Sequence, residues 1–221
     1  MQIKEVIILN NKDVSGEELS SFIQERINQY KYFFIPKTNF FFYGKKELEN
    51  DILSSFYKIE NVEINLKYQG LLSVNIKERE AEYVWCSIED ACFLMDVKGL
   101  IFAEADELNS HDKIIFKGKI EGNPLMQYLY KEEVMRNYKM AVDILLNESL
   151  GRIHRIEFES TNKTIFVTSI GDIYLNAEEN MITQMQNVIL LVKELRNRNA
   201  EIQFDYIDGR FGNKMYYKVK N

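Results

Sequence analysis

The sequence contains few of the residues that mark linkers, metal sites and cofactor sites. Its 221 residues include only two prolines, ten glycines, two histidines and two cysteines. So few prolines and glycines argue against a low-complexity linker, and the histidines, His111 and His154, fit no metal-ligand spacing. Glycine-rich phosphate loops, Walker patterns and the GxSxG motif are also missing. We therefore expect no metal, no cofactor and no catalytic residues, and hence a function other than catalysis.

Long apolar runs and clustered positive charge are missing too. No stretch reaches the roughly 18 consecutive apolar residues that a membrane-spanning helix needs. The formal net charge is −6, whereas a surface that binds nucleic acid needs clustered lysine and arginine. We therefore expect neither a nucleic-acid partner nor a membrane span within this sequence. The residues that are present, 46% hydrophobic and 13% aromatic, are typical of a folded protein and favour strands.

The first part of the sequence follows the order strand, helix, helix, strand, strand. Alternating apolar residues indicate the strands, and apolar residues three and four apart indicate the helices. Ser15 and Glu18 form a capping box at the first helix, and the aromatic stretch Tyr32–Phe42 is interpreted as a packed loop between the helices. The predicted elements are strands at Ile3–Leu9, Val62–Leu66 and Leu71–Lys77, and helices from Ser15 and at Lys45–Tyr57.

The second part is richer in strands and has two predicted helices. The first of these is predicted to begin at Asn123–Pro124, because proline favours the first helical position, and to end near Asn147. A hairpin turn at Gly212–Asn213 closes the chain. We therefore predict an α+β fold with a small domain, 1–79, before a mixed antiparallel β domain with helices, 80–221. The other predicted elements are strands within 83–102, near 114–120 and at 153–159, 164–170, 173–175, 201–211 and 214–220, and a helix at 178–196.

The junction of the two parts carries a motif. Lys77-Glu78-Arg79-Glu80 ends one predicted strand, Trp85 lies in the next, and Phe93-Leu94-Met95-Asp96 leads through Gly99 to Phe102. In order and spacing this resembles the bacterial cell-division family FtsQ (DivIB), although Ala81 replaces the usual proline. Near the end, Ile207-Asp208-Gly209-Arg210-Phe211 resembles the family's I-D-L-R-[FY] motif. Gly209 replaces the leucine, so we expect a loosened or bulged strand there.

The resemblance implies a fold, a location and partners. Members of the family have a POTRA domain, here 1–79, and then a β domain, here 80–221. They are non-enzymatic scaffolds of the divisome, anchored in the cytoplasmic (inner) membrane by a single transmembrane helix that this chain lacks, with this region on the extracytoplasmic side. They recruit FtsB and FtsL, and through them influence FtsW and FtsI and thus septal peptidoglycan synthesis.

Two other classes of function are compatible with the sequence. One is a POTRA-bearing chaperone or docking module of an outer-membrane assembly or secretion system, although such proteins carry several POTRA repeats and this sequence has one such pattern. The other is an enzyme or ligand-binding domain with a buried pocket. An apolar span of about 20 residues upstream in the full gene would favour the FtsQ-like interpretation.

The final hairpin is the predicted partner site. An unpaired strand edge can accept an incoming strand, and we expect nothing to cover the outer side of the last strand. Tyrosines there offer contact area and lysines would attract an acidic partner, while the resemblance adds the arginine and aromatic residue of its motif. The alternative is that the hairpin only closes the sheet. The predicted partner-binding residues are Arg210, Phe211, Lys214, Met215, Tyr216, Tyr217, Lys218 and Val219.

The two cysteines, Cys86 and Cys92, flank five residues across a predicted hairpin. They are interpreted either as two buried thiols or as a cross-strand disulfide, which an extracytoplasmic location and an even number of cysteines favour. The neighbouring Trp85, placed between two alternating strands, is predicted to be buried near the junction of the two domains.

Overall fold

The computed structural model describes residues 3–30, 40–67, 70–106, 110, 112–160, 162–212 and 214–220. The chain divides into two compact units, Met1–Glu80 and Ala81–Asn221. The described residues form four α-helices, a three-stranded sheet in the first unit and a nine-stranded sheet in the second. The predicted α+β class is therefore confirmed.

The first unit packs two helices against one face of its sheet. The central strand β3 runs parallel to β1 and antiparallel to β2. Its alternating residues Leu72, Val74 and Ile76 are buried together with Leu19 and Ile52 of the helices, which is the arrangement that the alternation predicted. The elements are β1 (Glu5–Leu9), α1 (Gly16–Tyr30), α2 (Phe40–Ser55), β2 (Ile59–Leu66) and β3 (Leu71–Glu78).

The start of α1 agrees with its prediction, whereas the start of α2 does not. The predicted cap of α1 is confirmed, since the Glu18 N–H donates to Ser15 Oγ at 3.2 Å. The predicted loop Tyr32–Phe42 lies mostly outside the described residues, and its last part is wrong because α2 already begins at Phe40. The helix continues through Gly44, since one glycine inside a helix costs only about 1 kcal/mol.

Residues at the charged end of β3 form hydrogen bonds with two other segments of the first unit. The Glu78 carboxylate accepts the backbone N–H groups of Lys12 at 2.6 Å, Asp13 at 2.9 Å and Val14 at 3.1 Å. Burial raises the pKa of Glu78, but these three donors outweigh burial and leave that pKa lowered. Arg79 donates from its backbone N–H to the Lys58 carbonyl at 2.7 Å. Glu78 therefore holds the turn that leads into α1.

The second unit places both of its helices on one face of the sheet. The strand order is β12-β11-β10-β9-β8-β7-β4-β5-β6, and the pairs β4–β7, β7–β8 and β10–β11 are parallel. The elements are β4 (Tyr83–Cys86), β5 (Cys92–Met95), β6 (Ile101–Glu104), β7 (Ile114–Lys117), α3 (Glu132–Asn147), β8 (Ile153–Ser160), β9 (Lys163–Thr168), β10 (Gly171–Leu175), α4 (Met181–Arg198), β11 (Phe204–Phe211) and β12 (Lys214–Val219).

The main core of this unit lies between those helices and the sheet. Met135 and Tyr138 of α3 and Val188 of α4 are buried with Phe116 and Ile173 of the strands. We call this side of the sheet the helix face and the other side the outer face. Because residues alternate along a strand, the neighbours of Ile173 and Ile207 lie on the outer face.

The helix predicted to begin at Asn123–Pro124 is wrong at its start. α3 begins at Glu132, and the preceding residues form turns. The Asn123 side chain accepts the Leu125 N–H at 3.0 Å, and Met126 has φ of 63°. Backbone groups of this segment bond to the edge of β6 instead, and this tertiary pairing replaces the helix that proline and spacing had indicated.

Asp96–Gly99 forms a tight turn between β5 and β6. Asp96 Oδ1 accepts the N–H groups of Lys98 at 2.9 Å and Leu100 at 3.0 Å. Gly99 has φ of 88°, a conformation that glycine adopts without steric cost. These two motif residues therefore shape a tight turn.

We expect the substitution Glu78→Gln to destabilise the first unit by about 1 kcal/mol at pH 7, because the amide is a weaker acceptor for three backbone donors. Since the pKa of Glu78 is lowered in the folded state, its contribution is present above the unfolded-state pKa and is lost as pH falls through the folded-state value. Denaturation followed by circular dichroism should show the difference at pH 7 and little difference at pH 3. The matched control is Glu80→Gln, at an exposed position; an equal effect there would contradict the prediction.

Trp85 is buried, with 3% of its surface exposed, and its ring centroid lies 5.8 Å from that of Phe93. The predicted burial is confirmed, while its predicted place near the domain junction stays a prediction. We expect Trp85→Ala to lower the free energy of unfolding by about 3 to 5 kcal/mol. The native protein should have a blue-shifted emission spectrum, since this is the only tryptophan. Emission like that of indole in water would contradict the burial.

Candidate functional site

The two edges of the nine-stranded sheet differ. Beside β6, the Ile101 N–H donates to the Gln127 carbonyl at 3.0 Å, and the Met126 N–H donates to the Ile101 carbonyl at 2.7 Å. At the other end, β12 pairs with β11 alone, and no described strand lies on its second side. Within the described ranges, β12 is therefore an edge strand whose second side is unpaired along its whole length and could accept another strand.

The side chains of β12 are largely exposed. Tyr216 is 53% exposed and Tyr217 is 43% exposed. Met215 packs against the core, and Tyr217 meets the Phe204 ring edge-on at 5.9 Å. The strand is thus held by its antiparallel pairing with β11 and by few buried side chains. Its two tyrosines combine large area with few rotatable bonds, as interface residues often do.

An aromatic strip crosses the outer face next to this edge; it comprises Tyr174 of β10, Tyr206 and Phe211 of β11, and Tyr216 of β12. The Tyr174 and Tyr206 rings are nearly parallel, with centroids 5.7 Å apart. Phe211 and Tyr216 meet edge-on at 5.3 Å. Phe211 is 52% exposed, so the strip presents aromatic surface beside the edge strand.

Arg210 lies within this strip and is held by Asp208. Its Nε donates to Asp208 Oδ1 at 2.9 Å and its Nη2 donates to Oδ2 at 2.6 Å. The guanidinium carbon lies 5.9 Å from the centroid of the Tyr174 ring and 5.5 Å from that of Phe211. The two parallel hydrogen bonds give the pair one defined geometry. Arg210 is therefore a fixed cation at the surface.

The hairpin β11–β12 is positively charged in an acidic protein. With Lys220, which follows β12, the described residues from 204 to 220 contain four basic side chains against two aspartates, a net charge of +2, whereas the whole chain carries −6. Lys218 pairs with Asp205 at 2.8 Å. Both side chains are exposed, so this ion pair contributes little to stability. The charge excess favours an acidic partner at this edge.

Gly209 lies where the β11–β12 register is irregular. The pairing shifts between Asp208 and Phe211, which confirms the expected bulge. A Cβ atom at Gly209 would lie 3.3 Å from Val188 Cγ2 of α4, closer than ordinary van der Waals contact. The glycine therefore lets the strand approach the helix closely while Asp208 and Arg210 point to the outer face.

Cys86 and Cys92 are directly paired residues of β4 and β5 and are joined by a disulfide. Cys86 is buried in a small apolar cluster with Val84 and Leu94. The bond joins the two strands where they meet the loop 87–91 of the β4–β5 hairpin, away from the helix-face core.

The histidines, the potential metal ligands and the described helices bear on other kinds of site. His154 is exposed on β8, and His111 lies outside the described residues. No group of three or more potential metal ligands occurs within the ranges given above. None of the helices in those ranges has the length and apolar character that a transmembrane helix requires.

All eight predicted partner-binding residues lie in one hairpin, as their sequence positions required. Tyr174, Tyr206 and Asp208 were not predicted as part of the site. Tyr174 comes from β10, which the α4 crossover places beside β11. The alternation in Ile173-Tyr174-Leu175 could have indicated an outward tyrosine, but not its neighbours. Neither the models of known protein families nor the curated proteins with which we compared the sequence match it.

We expect protein purified from an oxidising compartment, unfolded without reductant, to show no free thiol in an Ellman titration. Replacing both cysteines with alanine should lower the free energy of unfolding by about 2 to 3 kcal/mol, because the disulfide closes a short loop in the unfolded chain. Reduced wild-type protein is the control for the titration. Two titratable thiols per unreduced chain would contradict the prediction.

Proposed function

We propose that this chain is the extracytoplasmic part of a divisome scaffold of the FtsQ (DivIB) type. Its first unit would be the POTRA domain, 1–79, and its second the β domain, 80–221. The protein would be anchored in the cytoplasmic membrane by one transmembrane helix outside this chain. It would act without catalysis, by recruiting FtsB and FtsL and thereby influencing FtsW, FtsI and septal peptidoglycan synthesis.

The observation that carries the proposal is the unpaired side of β12. An incoming strand there would gain main-chain hydrogen bonds. At the opposite edge of the same sheet, residues 126–129 already bond to residues 99–101 at the start of β6, whereas the second side of β12 has no partner strand among the described residues. Edge strands that must stay unpaired carry charges that prevent self-association, and Lys214, Lys218 and Lys220 serve that purpose here.

The order of elements in the first unit supports the same proposal. Strand, helix, helix, strand, strand is the POTRA order, and β3 ends on the Glu78-Arg79 motif that suggested the family. The motif residues Asp96 and Gly99 then form the turn that follows β5.

The side chains at the edge suit an extended acidic segment. Tyr216 and Tyr217 alternate along β12, so one lies on each face of the extended sheet. Arg210 adds a fixed cation on the outer face. Buried aromatic and arginine residues supply most of the binding energy in many interfaces, so these three residues would dominate the affinity.

We expect the substitution Arg210→Glu to weaken binding of the soluble part of FtsB from the same organism by at least about 30-fold. The reason is that it reverses the fixed charge on the outer face. Isothermal titration calorimetry measures the affinity, and thermal melting checks the fold. Arg198→Glu on α4, another charge reversal at an exposed arginine, is the matched control and should bind like the wild type.

Deletion of residues 214–221 tests the edge itself. A folded deletion should not bind, because the accepting strand is gone. A folded deletion that binds as tightly as the wild type would contradict the docking edge, and a folded Arg210→Glu protein with wild-type affinity would remove Arg210 from the site.

A further inference from the structure

We infer that Asp208 is a positioning residue for the partner site: it fixes Arg210 in the orientation in which Arg210 meets an acidic segment along β12. The inference rests on the proposed function, because it concerns the same edge. It adds a residue whose role is to act through Arg210, without contact to the partner.

The first argument is the geometry and burial of the pair. Both oxygens of Asp208 accept hydrogen bonds from Arg210, at 2.9 and 2.6 Å. The Asp208 side chain is 10% exposed and the Arg210 side chain 25%. The Asp208 carboxylate is thus more buried than the Arg210 guanidinium, and the guanidinium is the part of the pair that reaches the surface. A fork-to-fork pair fixes the plane of the guanidinium as well as its place.

The second argument is the register around Asp208. In the sheet, Asp208 lies opposite Tyr174 of β10 and opposite Tyr216 of β12. Both neighbours on the outer face are therefore tyrosines, which restrict where the carboxylate can move. Arg210, held from one side by Asp208, is also near the rings of Tyr174 and Phe211. These contacts leave the arginine little freedom before any partner arrives.

The consequence for binding is entropic. A long side chain that must be immobilised when a partner binds lowers the affinity, by roughly 2- to 10-fold for one rotamer-rich residue. Asp208 has already restricted Arg210 in the unbound protein, so this loss is avoided. Without Asp208, the same arginine would be present but would bind less well.

The chain offers a matched control on the same strand. Asp205 also pairs with a cation of the hairpin, Lys218, at 2.8 Å, but its side chain is 37% exposed and that of the lysine 65%. Exposed pairs of this kind hold their partners weakly. If burial of the carboxylate is what matters, Asp205→Asn should change little where Asp208→Asn changes much.

The test is a double-mutant cycle, with the whole chain and the soluble part of FtsB measured by calorimetry. We expect Asp208→Asn to weaken binding about 5- to 10-fold and Asp205→Asn less than twofold. In an Arg210→Ala background, Asp208→Asn should have no further effect, because it acts only through the arginine. A merely structural role would give the same loss in both backgrounds and would overturn the inference.

Other outcomes are equally decisive. Affinity that is unchanged or tighter in a folded Asp208→Asn protein would also overturn it, since Asp208 would then be neutral or would mask the arginine. If that variant melts early, Asp208→Glu keeps the charge but displaces the carboxylate by one methylene, and it should still weaken binding; unchanged affinity would again overturn the inference. If the wild-type protein does not bind the soluble part of FtsB, both the proposed function and this inference are overturned. If the wild-type protein binds and the Asp208→Asn variant binds equally well, this inference alone is overturned.

Discussion

Parallel neighbours in a sheet cannot be joined by a tight turn, and this constraint shapes the second unit. The chain passes from β7 to β8 and from β10 to β11 between parallel strands, so each passage needs a crossover, and α3 and α4 provide them. Both helices are buried on the same face. The outer face beside β10, β11 and β12 therefore carries tyrosines, aspartates and an arginine, and the candidate site arises there because the helices are on the other side.

Much of the fold could be predicted from local patterns, because the periods of two and near four come from side-chain burial. The alternation at Leu72, Val74 and Ile76, the cap at Ser15 and the closing hairpin all follow from short stretches of sequence. The start of α3 could not, since residues 126–129 bond to β6, a strand some 25 residues earlier in the chain, and proline at 124 gave a misleading local signal. The same holds for the site: Arg210 was predictable, but its contacts with Tyr174 depend on the non-local register of β10 and β11.

The residues that suggested a family also have structural roles of their own. Glu78 accepts three backbone N–H groups of the turn before α1, while Asp96 and Gly99 form the turn after β5. In the closing motif, Gly209 allows the close approach to α4, and Asp208 holds Arg210. Most residues of these motifs therefore shape turns, and only those of the closing motif lie at a surface where a partner could bind.

The segment that covers β6 has a consequence for assembly. A sheet that can add strands at both edges can grow without limit, as fibrils do. In this sheet residues 126–129 bond to residues 99–101 at the start of β6, whereas no described strand lies on the second side of β12. Pairing of β12 with β12 of a second copy would occupy the free side of both strands, so a third copy could not add at β12. The β12 side of the nine-stranded sheet can therefore be extended once, by one partner at a time.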